Sequence, residues 1–414
     1  LHSEELNLRA KDFYIINEGL DVSIKNLRFN SKEYGNINLF DTNLNYSPCK
    51  IDVNSFRLSS RKSEIAGMMI IFLPKGGFFD FKDKAQINLE IKSFLRREQL
   101  KYFIDLPENF QPIDLKINGS GTLNNFNFST IEIEQEVIKL SAKLFIKEVL
   151  SLTPMKARLE IDDFKIINSK LTEIVPINYA HRIPLPILTC KPFEGKGTFL
   201  LENNQLKTEM ELTSSNASLI NQSVFFIEQD QNQFKLSAFE GSLDVSKLDL
   251  SPWYSDLGNV SLKFLFSGDR VERNYFNFDY DLDIYQIEFY KKSFKNLTFK
   301  GDLKKGKLNA NLSIEDEFVK GEAVMAHSWE ESPKKYQIEI NLDALNLHFF
   351  NPELGGGKAK NSGDFNLFLI GNTLDELQGN LLFKNLKFEN KIKTNTFNDF
   401  IIETSLTDQK RIIR

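Results

Sequence analysis

The chain of 414 residues is poor in the side chains that most often carry chemistry. It has two cysteines, Cys49 and Cys190, and four scattered histidines, His2, His181, His327 and His348. None forms a pair at metal-chelating spacing, so no metal centre is expected. The two cysteines fit free core thiols or one long-range disulfide in an oxidising compartment. No Gly-x-Ser-x-Gly elbow and no Walker-type loop occurs, and no pattern calls for a cofactor. Gly119-Ser120-Gly121 and Gly355-Gly356-Gly357 lack the strand-to-helix context of a phosphate cradle and read as turns. There is no run of about 18 apolar residues. The longest, Ile65 to Leu73, contains Gly67 and has strand length. An initiator Met and a signal peptide are also missing, and the chain starts and stops in strand-like sequence. It reads as a segment of a longer protein, with any anchor outside it. Charge shows no bias: 52 basic and 57 acidic residues are interspersed, for a net charge of −5. Without a basic run, nucleic acid is not an expected partner.

What is abundant is phenylalanine, 37 residues, within an apolar content of 41%. That content is enough for burial, and the length is too great for one ordinary compact core. The apolar residues alternate with polar ones. Leu6, Leu8 and Ala10, then Val22 and Ile24, then Ile51 and Val53 begin the pattern. It is clearest at Phe276, Phe278, Tyr280, Leu282 and Ile284 against Asn277, Asp279, Asp281 and Asp283. Period-two alternation makes strands with one apolar and one wet face. Asp279, Asp281 and Asp283 therefore read as a solvated outer face rather than a calcium loop. The same holds for Glu132, Glu134 and Glu136. The best helix candidate is Leu95 to Leu106, stopped by Pro107. Trp253 and Trp329 sit in loop-like contexts and read as docking side chains.

One stretch organises the rest. Phe365 to Ile370 and Asn380 to Phe388 are two Leu/Phe strands around the connector Gly371-Asn372-Thr373-Leu374-Asp375-Glu376-Leu377-Gln378-Gly379. The spacing predicts positive-φ corners at Gly371 and Gly379 and one helical turn starting at Thr373. Looser copies lie at Lys116 to Leu123, Phe193 to Leu200 and Leu262 to Gly268. A second element, a strand followed by a segment that docks as a turn, precedes each copy: Ile87 to Phe103, Ala157 to Pro176, Ser242 to Trp253 and Ile338 to Pro352. The expectation is an array of similar β units over 1–414, with a hinge at 175–192 and a joint at 355–357.

The Phe365 to Phe388 stretch resembles the repeats of the TamB group of the AsmA-like superfamily. Asp343-Ala344-Leu345-Asn346-Leu347 is similar to the element preceding such a connector in that family. Lys116 to Leu123 and Leu303 to Leu312 look like its less regular strands. The resemblance implies an all-β fold: an elongated, curved antiparallel β-sheet folded into a taco-like hydrophobic groove, with short helical turns. It implies non-enzymatic lipid transport in the periplasm of a diderm bacterium. The implied partners are phospholipids, an outer-membrane barrel of the Omp85 type (TamA-like), and the inner membrane through a helix outside this chain. Alternation nominates the groove lining as Leu262, Phe264, Phe266, Phe276, Phe278, Phe365, Leu367, Leu369, Leu381 and Phe383. The competing expectation is that these fill a closed sandwich core, in an extracellular or periplasmic array acting as an adhesin or stalk. A glycan-active enzyme is disfavoured by the lack of convincing paired carboxylates.

Overall fold

In the computed structural model the chain divides into two compact units, Leu1–Asn216 and Ala217–Arg414. The structure describes residues 3–16, 19–31, 35–60, 63–75, 80–100, 105–150, 155–180, 183, 191–215, 217–230, 233–272, 275–328, 332–346, 349, 360–373, 376–389, 393–407 and 410–413. For 3–13, 25–40, 275–276 and 406–413 the description is of the backbone. The stretch 355–357 and half of 175–192 (181–182 and 184–190) lie outside the described residues, as do Cys190, Trp329 and Leu374.

The first unit is an up-and-down antiparallel meander of twelve strands. They are β1 (Ser3–Ile16), β2 (Gly19–Ser31), β3 (Gly35–Ser47), β4 (Lys50–Ser60), β5 (Ser63–Phe72), β6 (Gln86–Leu95), β7 (Ile113–Gly121), β8 (Asn125–Glu134), β9 (Ile138–Lys147), β10 (Lys156–Ile166), β11 (Phe193–Glu202) and β12 (Gln205–Ser214). Each strand pairs with its sequence neighbours, and β1 pairs with β2 alone, so the sheet is not closed. Register puts the apolar residues of successive strands opposite one another: Ile51 faces Ile71, and Ile71 faces Ile87. The connectors fold back onto that face. Helix α1 (Phe81–Lys84) and the flanking Leu73 and Ala85 close a core with Ile71 and Ile87, joined by Tyr46, Ile51, Met69 and Phe126.

The second unit repeats the plan, with its longest strands first. They are β13 (Ala217–Asp230), β14 (Gln233–Asp249), β15 (Leu257–Glu272), β16 (Tyr275–Phe289), β17 (Lys292–Lys304), β18 (Lys307–Glu315), β19 (Val319–Ser328), β20 (Lys335–Leu345), β21 (Lys360–Ile370), β22 (Gln378–Glu389), β23 (Thr394–Thr396), β24 (Phe400–Thr407) and β25 (Lys410–Ile413). β21 and β22 are the organising stretch, paired Phe365 to Phe383 and Leu367 to Leu381. Their connector does form a single turn, with Glu376 N–H donating to Thr373 O at 3.0 Å.

Three local expectations need correction. Gly379 has φ +153°, but Gly371 does not take a positive φ. Gly371 is there for space: a Cβ would sit 2.8 Å from the Glu376 carbonyl and the Leu377 nitrogen. The Leu95 to Leu106 helix begins later than expected: Leu95 still belongs to β6 and pairs with Ile113, α2 is described over Arg97–Leu100, and 101–104 lie outside the described residues. Gly119-Ser120-Gly121 is not a turn but the end of β7, where Gly119 leaves room for a ring: its Cβ would lie 2.5 Å from Phe126.

The second repeated element is present at all four places. After β6 comes α2, and after β10 a 3-10 turn over Asn168–Glu173. After β14, Trp253 N–H donates to Leu250 O at 2.9 Å, and after β20, Phe349 N–H donates to Asn346 O at 3.1 Å. No helix among the described residues is long and apolar enough to cross a membrane.

Candidate functional site

Register across the second unit turns separate apolar runs into continuous rows. One row reads Leu243, Phe264, Leu282, Phe299, Leu312, Ala323, Ile340, Phe365, Phe383, Phe400, each residue directly opposite the next on ten consecutive hydrogen-bonded strands. Nine strand spacings of about 4.8 Å give it a length of about 43 Å. No polar side chain interrupts it. A second row on the same face contains Phe266, Tyr280, Met325, Ile338, Leu367, Leu381 and Ile402. A third contains Phe239, Phe278, Leu303, Leu308, His327, Tyr336 and Leu369.

Nine of the ten nominated residues therefore share one face of one sheet. Phe264, Phe365 and Phe383 lie in the first row; Phe266, Leu367 and Leu381 in the second; Phe278 and Leu369 in the third. Leu262 lies in the row on the other side of the first, opposite Val245 and Ile284. Phe276 is opposite Arg270 in the backbone pairing, and its side chain is outside the described residues. The nine whose side chains are described are all half-buried. Alternation had put Leu282 on the face of Phe278 but had not joined Leu243, Phe299, Leu312, Ile340 and Phe400 to them, because only register aligns strands far apart in sequence.

The rings form two patches on this face. Phe239, Phe266, Phe264 and Phe278 form a closed chain of neighbours, with Phe264–Phe266 centroids 5.4 Å apart and Phe239–Phe278 6.1 Å. Tyr280 stacks on Phe299 at 5.3 Å. The other patch is Phe365–Phe383 at 5.3 Å and Phe383–Phe400 at 4.4 Å. Several rings lie across a strand glycine. A Cβ on Gly268 would meet the Phe239 ring at 2.5 Å, and one on Gly241 the Phe266 ring at 2.7 Å. The rings rest close to the sheet instead of standing up from it. Burial pushes the Tyr280 phenol above its ordinary pKa, with Asp302 adding to the shift.

Among the described residues the face is covered at one end of its strands. Phe294 of β17 is buried, and Phe349 packs on it edge-on at 5.5 Å and stacks on Phe318 at 3.7 Å. Val245 and Val260, at the same end, are 3% and 2% exposed. Further along the strands, Leu312, Ile340 and Phe400 of the long row stay 36–43% exposed. The whole chain presents 26368 Å² of accessible surface. Two separate compact units of half its mass would expose about 20,000 Å² together. Leu312, Ile340 and Phe400 are part of that exposed area.

The opposite face carries the charge. Asp281 pairs with Lys300 at 2.8 Å and Asp279 with Lys304 at 2.9 Å, so lysines of the next strand counter the aspartate comb. In the first unit Lys116 meets Glu132 at 3.2 Å in the same manner. A groove of about 710 Å³ on that unit's polar face is lined by Glu64, Lys92, Phe94, Asp114, Lys116 and Glu134 among others. Cys49 is exposed, with its Sγ 3.6 Å from Ser47 Oγ. Comparison with known proteins finds no match to a family model, to a curated protein or to a solved structure.

Proposed function

We propose that this protein shields lipid acyl chains from water along the open apolar face, and that it does so without catalysis. The observation that carries the reading is the uninterrupted apolar row from Leu243 to Phe400. Each methylene kept from water is worth about 0.8 kcal/mol, so a lane without polar breaks holds a chain anywhere along it. Headgroups stay in solvent at the margin. The resemblance to the TamB group supports the finer parts of the proposal: a taco-like curl of the sheet, phospholipid as cargo, a periplasmic setting, an anchor in the inner membrane and an Omp85-type barrel as partner.

The test is native mass spectrometry of the chain purified from a diderm host, followed by lipid extraction. Several co-purifying phospholipids per chain are expected. A lipid-free, monodisperse protein would overturn the reading in favour of a structural stalk. Leu367→Asp and Phe278→Asp are expected to lose the lipid while the sheet still folds. Wholesale unfolding of both would mean that the residues are core rather than lane.

A further inference from the structure

The two ends of the strands in the second unit differ. At the end where β14, β16, β18 and β20 finish, the apolar face is covered by the Phe349 turn over Phe294 and Phe318, and Val245 and Val260 are buried. At the other end lie the turn Lys304-Lys305-Gly306-Lys307 between β17 and β18, and Lys334-Lys335 at the start of β20. There the face itself changes character. Its outermost row runs Leu303, Leu308, His327, Tyr336, Leu369, and includes a stacked His327–Tyr336 pair with ring centroids 4.3 Å apart. His327 Nδ1 lies 3.0 Å from Lys335 O, which fixes the ring. The ladder continues one step beyond, where Gly371 N–H donates to Lys334 O at 3.0 Å. Lys334 thus sits on the same face as Tyr336, half-buried, at the margin of the lane, and Lys305 is exposed in the neighbouring turn.

Resting on the lipid reading above, we infer that the His327–Tyr336–Lys334 margin, with Lys305, is the headgroup end of the lane and takes an anionic phospholipid headgroup. The acyl chains then run along the strands toward the Phe349 plug. The dimensions agree. From Leu262 to Gly268 the face spans six residues, or about 20 Å at about 3.4 Å each. One leaflet's hydrocarbon is about 15 Å deep. A chain that starts at the row of His327 and Tyr336 covers about four residues and ends its tail over the row of Ile340 and Phe264, short of the plug. Tyrosine and histidine are suited to that boundary, having an apolar body and a polar tip. A lysine beside it is worth roughly a fivefold preference for an anionic over a zwitterionic surface.

The full chain is incubated with vesicles of equal phosphatidylglycerol and phosphatidylethanolamine, repurified, and its bound lipids counted by native mass spectrometry. Phosphatidylglycerol is expected to be enriched. The double variant Lys305→Gln/Lys334→Gln should lose that enrichment by about fivefold or more while binding as many lipids in total. The control Lys291→Gln/Lys295→Gln, at the plugged end, should keep it. An unchanged lipid ratio in Lys305→Gln/Lys334→Gln, or an equal loss in the control, overturns the headgroup assignment and leaves the lane standing. No bound lipid in the unaltered chain overturns both.

Discussion

In the first unit the connectors return to the sheet: Leu73, Phe81 and Ala85 cover Ile71 and Ile87, and Leu106, Phe110 and Val137 are buried between other strands. In the second unit most connectors are short turns, and among the described residues the face is covered at the strand ends near Phe349. Among the described residues nine apolar side chains of the first unit are buried and four of the second. The strands are of the same kind and pair in the same way. A β-meander therefore does not by itself decide whether its apolar face becomes core or remains surface. The connectors decide it.

The largest expected effect separates these two fates. Ile87→Ala removes a side chain that is 7% exposed, beneath α1, and should cost about 2–5 kcal/mol. Leu367→Ala, on the half-exposed face, should cost less than about 1 kcal/mol. Peptide-level hydrogen exchange of the full chain reads the two units separately, and equal losses would erase the distinction. Next comes Asn168→Ala. Asn168 is 2% exposed and its Nδ2 donates to Lys191 O at 2.9 Å, holding the turn after β10. Removing this buried amide breaks that hydrogen bond and leaves the Lys191 carbonyl to Ser214 Oγ, at about 1–3 kcal/mol, visible as faster exchange in the first unit.

Gly268→Val tests whether the second unit's rings need their glycine seats. The new side chain meets the Phe239 ring and the Asn277 carbonyl, and a loss of about 1–3 kcal/mol is expected in a denaturant melt. A neutral result would mean that the rings stand free of the sheet. The smallest effect belongs to the charged face. Lys300→Met should leave the melt unchanged at neutral pH, since exposed pairs contribute little. The Lys300 pKa is raised above 10.5, first by its hydrogen bond to Asp281 and then by that carboxylate's charge. Whatever the pair contributes is fully present below 10.5 and is lost only as pH rises through the higher folded-state value. A melt series from pH 7 to 9 should therefore be flat with respect to this pair.

Much of this was legible in the linear pattern. Leu262, Phe264 and Phe266 alternate with polar residues, and so do Phe365, Leu367 and Leu369; both runs are strands with those residues on one face. The strand-turn-strand character of Phe365 to Phe388 was legible too, as were the docking turns after β6, β10, β14 and β20. The Gly119 region was misread because a glycine next to a serine looks like a turn locally. Its reason for being in β7 is a phenylalanine ring from the following strand. The Leu95 to Leu106 helix was overextended because Leu95 satisfies helical spacing and strand pairing equally, and Ile113 settles the matter.

The sequence by itself determined the strands, their two faces and the aromatic bias of one of them, because period-two alternation is local and needs no partner. Tertiary structure decided which rows line up. Phe264 meets Leu282 and Phe299, Asp281 finds Lys300, and Phe349 returns to cover Phe294 only through pairings set by register and turn length. A one-residue slip would turn each strand's apolar set to the other face. The continuous lane is a property of that register and not of any strand alone.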